Sequence, residues 1–203
     1  MKRWIGLLVA LLLMLSTALA EAPTRFGAEE LNALVPAYGM NRAQAKEALG
    51  EPTTWETTSD GAEVLDIYHY PQATLTFLND LLVRAEWERE DWPAPRGLAV
   101  GASETEVLAA FFVDDTQKER FVLYESGYVP ALATYLPPCA VVGENGDGTR
   151  EIVYQAPLSA YPASVADDPA SYVELPHATL CFRISTLTGR VTAVMWTVSA
   201  LKR

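Results

Sequence analysis

The chain has 203 residues, of which half are hydrophobic and a fifth are charged, and this composition is typical of a folded globular protein rather than a disordered one. It carries 15 Lys and Arg against 26 Asp and Glu, a net charge of −11, and this acidic balance argues against a nucleic-acid-binding protein because phosphates would be repelled. The length fits one large domain or two small ones.

The first 20 residues predict a secretory signal peptide. Lys2 and Arg3 precede an apolar run that extends from Trp4 to Leu15, and small residues precede the expected cleavage after Ala20. The apolar run is shorter than the roughly 20 residues that cross a bilayer, so an uncleaved membrane anchor is the less favoured alternative. We therefore expect a secreted or cell-envelope-associated protein with no stable membrane insertion after cleavage.

Two helices with the same kind of start are predicted. Each follows a glycine and begins with a capping box, in which a side-chain oxygen and a residue three positions later satisfy free amides of the first turn. Asn41 and Gln44 form the first box, and Ser103 and Glu106 form the second. The two segments that align with each other are residues 39–49 and 101–111.

A second pair of matching segments lies further along the chain. The pattern P-x-A-T-L-x-F occurs at residues 71–77 and again at 176–182, and each copy begins a predicted β-hairpin. The first hairpin is expected to turn around Asn79-Asp80 and the second around Thr188-Gly189. Further strands are predicted over residues 63–70, 120–125 and 151–156. Because the matching segments occur in the same order, the sequence predicts an internal repeat.

The predicted fold class is α+β, with two tandem units that each contain a helix followed by about four antiparallel strands. We expect the two sheets to form a concave platform with the helices on the other side. The first unit spans residues 21–90, a stiff linker spans 91–97, and the second unit spans 98–203. Segments 128–150 and 158–176, rich in Pro, Gly, Ala and Asp, are expected to be loop insertions.

The run Ala37–Gln44, followed by Gly50-Glu51-Pro52, resembles the helix start of β-lactamase inhibitory proteins and of the small lipoproteins of outer-membrane assembly that share their fold. The tandem arrangement is similar to that of the inhibitor, in which the sheets of two units form one concave protein-binding surface. The resemblance implies this fold and a protein-binding habit, but it does not imply inhibition of a β-lactamase.

The chain contains two cysteines, Cys139 and Cys181. An even number of cysteines in an exported chain predicts a disulfide, which here would pin the first insertion across the second sheet. The alternative is two unrelated buried thiols. Two Cys and two His without a metal-ligand spacing predict no metal site, and no motif predicts a cofactor.

The alternation of side chains predicts which face of the sheet is free, because successive residues of a strand point to opposite faces. If Leu65 and Ile67 point toward the helices, Tyr68 and Tyr70 lie on the open face, the one that points away from the helices. The same alternation places Arg183 and Trp196 there. These four residues, Tyr68, Tyr70, Arg183 and Trp196, are the predicted binding residues for an unknown protein partner. The residues predicted on the helix side are Leu75, Phe77, Val83, Ala85, Trp87, Leu180, Phe182, Ile184, Val191, Ala193 and Met195.

Trp196 leaves two interpretations open, because burying its ring on the open face requires a cover. The favoured one is coverage by the insertions of the chain itself, and the other is coverage by the partner.

The sequence shows no catalytic spacing, so the predicted function is a secreted, non-enzymatic protein-binding module, either inhibitor-like or a cell-envelope scaffold. One alternative is an exported hydrolase with a site around His69 or His177. Another is a protein that binds a small ligand or peptidoglycan in a closed apolar pocket.

Overall fold

A computed structural model describes residues 22–59, 61, 63–116, 121–126, 128–129, 134–158 and 176–199. The predicted signal peptide lies outside the described residues, and so does the predicted insertion at 158–176 apart from its two ends. No helix in the described part of the chain is long and apolar enough to span a bilayer.

The described residues form one large antiparallel sheet with a few short helices. Helix α1 spans Arg42–Leu49, helix α2 spans Glu104–Ala110, and two 3-10 helices span Ala28–Ala33 and Pro95–Gly97. The strands are β1 Thr54–Ser59, β2 Val64–Tyr70, β3 Ala73–Leu78, β4 Leu81–Trp87, β5 Val122–Tyr124, β6 Tyr128–Val129, β7 Thr134–Tyr135, β8 Cys139–Asn145, β9 Thr149–Pro157, β10 His177–Ser185 and β11 Arg190–Val198. The order in the nine-stranded sheet is β1-β2-β3-β4-β11-β10-β9-β8-β5, and β6 pairs with β7 separately.

The prediction of two separate helix-plus-sheet units is wrong, because β4 pairs directly with β11 and makes the sheet continuous. Trp87 lies opposite Val194 and Ala85 lies opposite Trp196, and all four side chains are buried. Pairing at this seam satisfies main-chain groups that two separate sheets would leave exposed at their edges, and it buries both indole rings.

Both predicted helix starts are confirmed. The Asn41 side chain accepts a hydrogen bond from the Gln44 amide at 2.9 Å, and the Gln44 side chain accepts one from the Asn41 amide at 2.9 Å. Ser103 and Glu106 make the same exchange at 3.2 and 2.7 Å. Ala45 of α1 and Val107 of α2 are fully buried in the same core as the sheet, so both helices lie on one face of it.

Two β-bulges change which residues of the hairpins face the core. Leu82 lies opposite Phe77, whereas Arg84 lies opposite Thr76, so Val83 is the extra residue in β4. Because one extra residue reverses the alternation, Leu82 is buried in the core where Val83 was expected.

The bulge in β11 lies at Thr192. Val191 pairs with Ile184 and Ala193 pairs with Arg183, so every residue of β11 after Thr192 changes face relative to the prediction. Ala193 and Met195, expected on the helix side, therefore lie on the open face. Val194, Trp196 and Val198 take the buried positions on the helix side.

The first predicted insertion is not a loop throughout. Residues 128–150 contain β6, β7, all of β8 and the start of β9, and β8 pairs with β9 from Cys139 to Asn145. The predicted linker is also packed, since Trp92 is buried and its ring centroid lies 6.1 Å from that of Trp87.

Candidate functional site

The described helices pack on one face of the sheet and leave the other, the open face, without a helix over it. The strand register aligns its side chains in two rows that run across β4, β11, β10, β9 and β8. The first row is Glu86, Met195, Cys181, Val153 and Val141. The second row is Arg84, Thr197, Thr179, Gln155 and Cys139. The open face therefore combines a row that is mostly apolar, apart from Glu86, with a row that is mostly polar.

A network of charges crosses the seam between β4 and β11 on this face. Arg183 donates hydrogen bonds to Glu86 and to Glu151, both at 3.2 Å, and Arg84 donates one to Glu86 at 2.9 Å. Partial burial lowers the pKa of Arg183, but its hydrogen bond to Glu151 and the charge of Glu86 outweigh that effect and raise the pKa. Arg183 thus stays charged, and its side chain is 34% exposed.

Of the four predicted binding residues, the structure places only Arg183 on the open face. Tyr68 lies opposite Leu75 on the helix side, with its ring 5.0 Å from that of Phe77 and the Lys46 ammonium 5.6 Å from its centre. Tyr70 is buried on the same side and donates a hydrogen bond to the Gly50 carbonyl at 3.2 Å. The expected placement of both tyrosines is therefore wrong.

Asp66 explains why the side chains of β2 point to the faces opposite to those predicted. Its carboxylate is buried on the helix side, where it accepts hydrogen bonds from Arg42 at 2.7 Å and from Thr57 at 2.6 Å. Since Asp66 shares its face with Tyr68 and Tyr70, Leu65 and Ile67 point outward.

The expected placement of Trp196 is wrong as well. Its side chain is fully buried on the helix side of the sheet, opposite Ala85, and its ring lies 6.2 Å from that of Tyr38. The reversal follows from the bulge at Thr192. Trp196 therefore belongs to the core beneath the helices, and neither proposed cover on the open face is needed to bury it.

The structure does not support the predicted disulfide, because Cys139 and Cys181 are both free and buried. They lie on β8 and β10, and β9 runs between these strands. Neighbouring strands are about 4.8 Å apart, so the two Cα atoms are separated by more than about 9 Å, beyond the roughly 7 Å that a disulfide spans. Burial raises the pKa of each thiol to about 12, which keeps both thiols protonated and unreactive.

Each histidine has a hydroxyl group beside its ring. The Thr74 hydroxyl lies 3.4 Å from Nδ1 of His69, and the Glu56 carboxylate lies 3.5 Å from Nε2. The Ser199 hydroxyl lies 3.1 Å from Nδ1 of His177 and accepts a hydrogen bond from the His177 main-chain amide at 2.9 Å. Described residues line four open recesses on the surface, and neither His69 nor His177 is among these lining residues. The distances at His69 are long for the hydrogen bonds of a catalytic triad.

Trp55 is not among the predicted binding residues, yet its side chain is 65% exposed, more than those of Phe121 and Tyr128. Trp55 lies on β1, an edge strand in which all six residues are exposed. The available signal was a threonine-rich, β-branched run with one aromatic residue, Thr53 to Thr58, which favours a strand.

No protein-family model matches the chain, and no curated protein matches it either. Among solved structures it is similar to an extracellular protein containing an SCP domain from Bacillus anthracis str. Ames, at 11% identity and a TM-score of 0.37. That match covers 80% of this chain and 44% of the other, so the chain spans less than half the length of that protein. It is also similar to a candidate beta-lactamase inhibitor protein from Streptococcus mutans, at 12% identity and a TM-score of 0.26, with 88% and 91% of the two chains covered. TM-scores this low do not carry an argument about function.

Proposed function

We propose that the protein is an exported, non-enzymatic protein-binding module and that its partner binds the open face of the sheet. The observation that supports this proposal is the one-sided placement of the described helices. It leaves apolar side chains half-exposed on the opposite face. These side chains are Leu65, Ile67, Val141, Val153 and Met195. Covering them with a partner gains roughly 25 cal/mol for each Å² of apolar surface removed from water.

Arg183 supplies the polar centre of the proposed interface. Interfaces are enriched in Arg, and a guanidinium that already contacts Glu86 and Glu151 is held in a defined position before the partner arrives. A carboxylate or main-chain carbonyl of the partner can accept from the guanidinium donors that these two contacts leave unused.

The proposed location rests on the sequence of the first 20 residues, which has the order of a secretory signal. The resemblance of the Ala37–Gln44 run to β-lactamase inhibitory proteins supports a binding role. Within that role, an inhibitor of an extracellular protein and a scaffold in the cell envelope are the two finer proposals.

Site-specific photo-crosslinking tests the proposal. A photoreactive amino acid is placed at Thr76 or Val153 on the open face, or at Ala43 or Glu47 on the exposed side of α1, in the mature chain of residues 21–203. Each variant is incubated with the secreted and envelope fractions of the source cells. We expect both open-face positions to crosslink the same protein and both α1 positions to give none. Crosslinks from α1 alone, or equal crosslinks from the two faces, would overturn the proposal.

A further inference from the structure

One edge of strand β1 is unpaired in the part of the chain that the structure describes. One side of β1 pairs with β2, and no described residue pairs with its other side. The strand contains neither Lys nor Pro, the residues that natural edge strands use most often to prevent pairing with another chain. The opposite edge strand, β5, is only three residues long, whereas β1 is six residues long and spans about 20 Å.

The hairpin between β2 and β3 shows which main-chain groups of β1 point outward. Tyr70 and Ala73 flank a two-residue turn, so they form a hydrogen-bonded pair, and at the other end of the hairpin the Asn79 amide donates to the Val64 carbonyl at 2.8 Å. The direction of main-chain hydrogen bonding alternates along a strand, so every second residue of β2 bonds to β1 instead of β3. These residues are Leu65, Ile67 and His69. Their partners on β1 are Thr54, Glu56 and Thr58. The main-chain groups of Trp55, Thr57 and Ser59 therefore point away from the sheet.

The side chains along this edge differ between the two faces. Trp55 lies opposite Tyr68 and extends from the helix side, whereas Glu56 lies opposite Ile67 and extends from the open face, where its side chain is 70% exposed. Exposed carboxylates also stand near both ends of the strand, at Glu51 and Glu63.

A positive charge near this edge is already paired, because the Lys46 ammonium lies 2.8 Å from the Glu51 carboxylate. Because Lys46 and Glu51 offset each other's charge, the edge is aromatic on the face of Trp55 and acidic on the face of Glu56.

We propose that β1 binds an extended segment of a partner protein by strand addition, and that this segment alternates Lys or Arg with apolar residues. The main chain of the segment would pair with the outward groups of Trp55, Thr57 and Ser59. Its basic side chains would lie on the face of Glu56, and its apolar side chains would lie on the face of Trp55, because alternate residues of the added strand point to opposite faces.

A second copy of the chain is a poorer occupant. Two copies paired through β1 would bring the same acidic edges together, and each chain carries a net charge of −11, so they repel each other. The β1 edge borders the open face, since Glu56 extends from it, but strand addition uses the outward main-chain groups of β1, so this inference stands whether or not the partner proposed above binds the open face.

The test uses the mature chain, residues 21–203, and the peptide acetyl-Ser-Lys-Val-Lys-Val-Lys-Ser-amide. One control peptide carries Glu in place of each Lys. Another keeps the composition but breaks the alternation, as acetyl-Ser-Lys-Lys-Val-Val-Lys-Ser-amide. Binding is followed by NMR titration, and amide exchange is measured residue by residue. We expect the alternating Lys peptide to bind at least about fivefold more tightly than either control, and raising the salt concentration to weaken it. We also expect it to slow exchange at the amides of Trp55, Thr57 and Ser59.

Two variants separate the aromatic and acidic contributions. Trp55→Ala should weaken binding about fivefold, the loss typical of an aromatic interface anchor. Glu56→Lys should reverse the preference in favour of the Glu peptide, whereas the matched control Glu90→Lys, at an exposed carboxylate beyond the end of β4, should keep the preference for the Lys peptide.

Three results would overturn the inference. The first is failure of the alternating peptide to bind at millimolar concentration. The second is binding whose spectral changes fall on Arg183 and Val153 rather than on β1. The third is protection of the β1 amides by self-association of the chain without peptide, which would assign the edge to a second copy.

Discussion

Replacing Arg96 tests how the N-terminal segment is held on the core. The Arg96 guanidinium donates to both carboxylate oxygens of Glu30, at 2.9 and 2.7 Å, and to the main-chain carbonyls of Thr24, Arg25 and Ala110, at 2.7 to 3.0 Å. It also stacks 4.1 Å from the centre of the Phe111 ring. Arg96 therefore joins residues 24–30 to the end of α2, and the buried side chains of Phe26 and Leu31 belong to the same segment.

The expected cost of Arg96→Met follows from the burial of the ion pair. The side chains of Arg96 and Glu30 are only 19% and 22% exposed. Removing one partner of a buried pair costs about 3 to 5 kcal/mol, and because this pair is not fully buried we expect the lower value, about 3 kcal/mol of unfolding free energy. For a chain of this length the corresponding fall in melting temperature is about 6 to 12 °C.

Urea and thermal unfolding, followed by circular dichroism, measure this effect. Arg96→Lys keeps the charge but loses the forked geometry, so it should lie between the wild type and Arg96→Met. Arg89→Met is the matched control, because Arg89 pairs with Asp91 at the surface, and it should cost less than about 1 kcal/mol. A loss below about 1 kcal/mol for Arg96→Met would mean that the contacts of Arg96 do not hold residues 24–30 on the core.

Three further predictions follow from burial and hydrogen bonding. The hydrogen bond from Arg42 lowers the pKa of Asp80, so this contact stabilises the fold at pH values above the ordinary carboxyl pKa and is lost as the pH falls. The midpoint of urea unfolding should therefore be lower at pH 3 than at pH 7, and an unchanged midpoint would contradict this prediction. Cys139 and Cys181 should resist a maleimide reagent in the native protein and both react after unfolding, and a mass two hydrogens lower in the non-reduced protein would instead reveal a disulfide. Trp196→Ala should lower the unfolding free energy by about 3 kcal/mol or more in urea titrations, whereas a loss below about 1 kcal/mol would contradict its place in the core.

Local signals in the sequence predicted local structure correctly. The capping boxes at Asn41 and Ser103 act over one helical turn, so they identify helix starts without knowledge of the rest of the chain. The Asn79-Asp80 turn is also observed, with positive φ at both residues, because Asn and Asp tolerate this conformation better than most side chains.

The face of the sheet to which each side chain points was predicted less well, because it depends on the pairing register between strands. Alternation places Leu75 and Phe77 correctly, and Ala85 and Trp87 as well. It fails at the bulge residue Val83 and after the bulge at Thr192, since nothing in the sequence marks the extra residue. In β2 the pattern is apolar on both faces, and the buried ion pair between Asp66 and Arg42 decides the facing.

The continuity of the sheet was also beyond the sequence. The pairing of β4 with β11 brings together strands that are about a hundred residues apart, and no local pattern encodes such a contact. For the candidate site, the sequence identified Arg183, but it missed Trp55 because a lone aromatic residue in a short polar strand gives a weak pattern.

Binding of a protein to the open face is tested by the affinity of the crosslinked partner for three forms of the chain of residues 21–203. The forms are the wild type, Val153→Arg on the open face and Ala43→Arg on the exposed side of α1. Calorimetric or optical titration should show at least about tenfold weaker binding for Val153→Arg, the effect of placing an unpaired charge in an interface, and no change for Ala43→Arg. Equal affinities for the wild type and Val153→Arg, with weaker binding for Ala43→Arg, would mean that the partner binds α1 and not the open face.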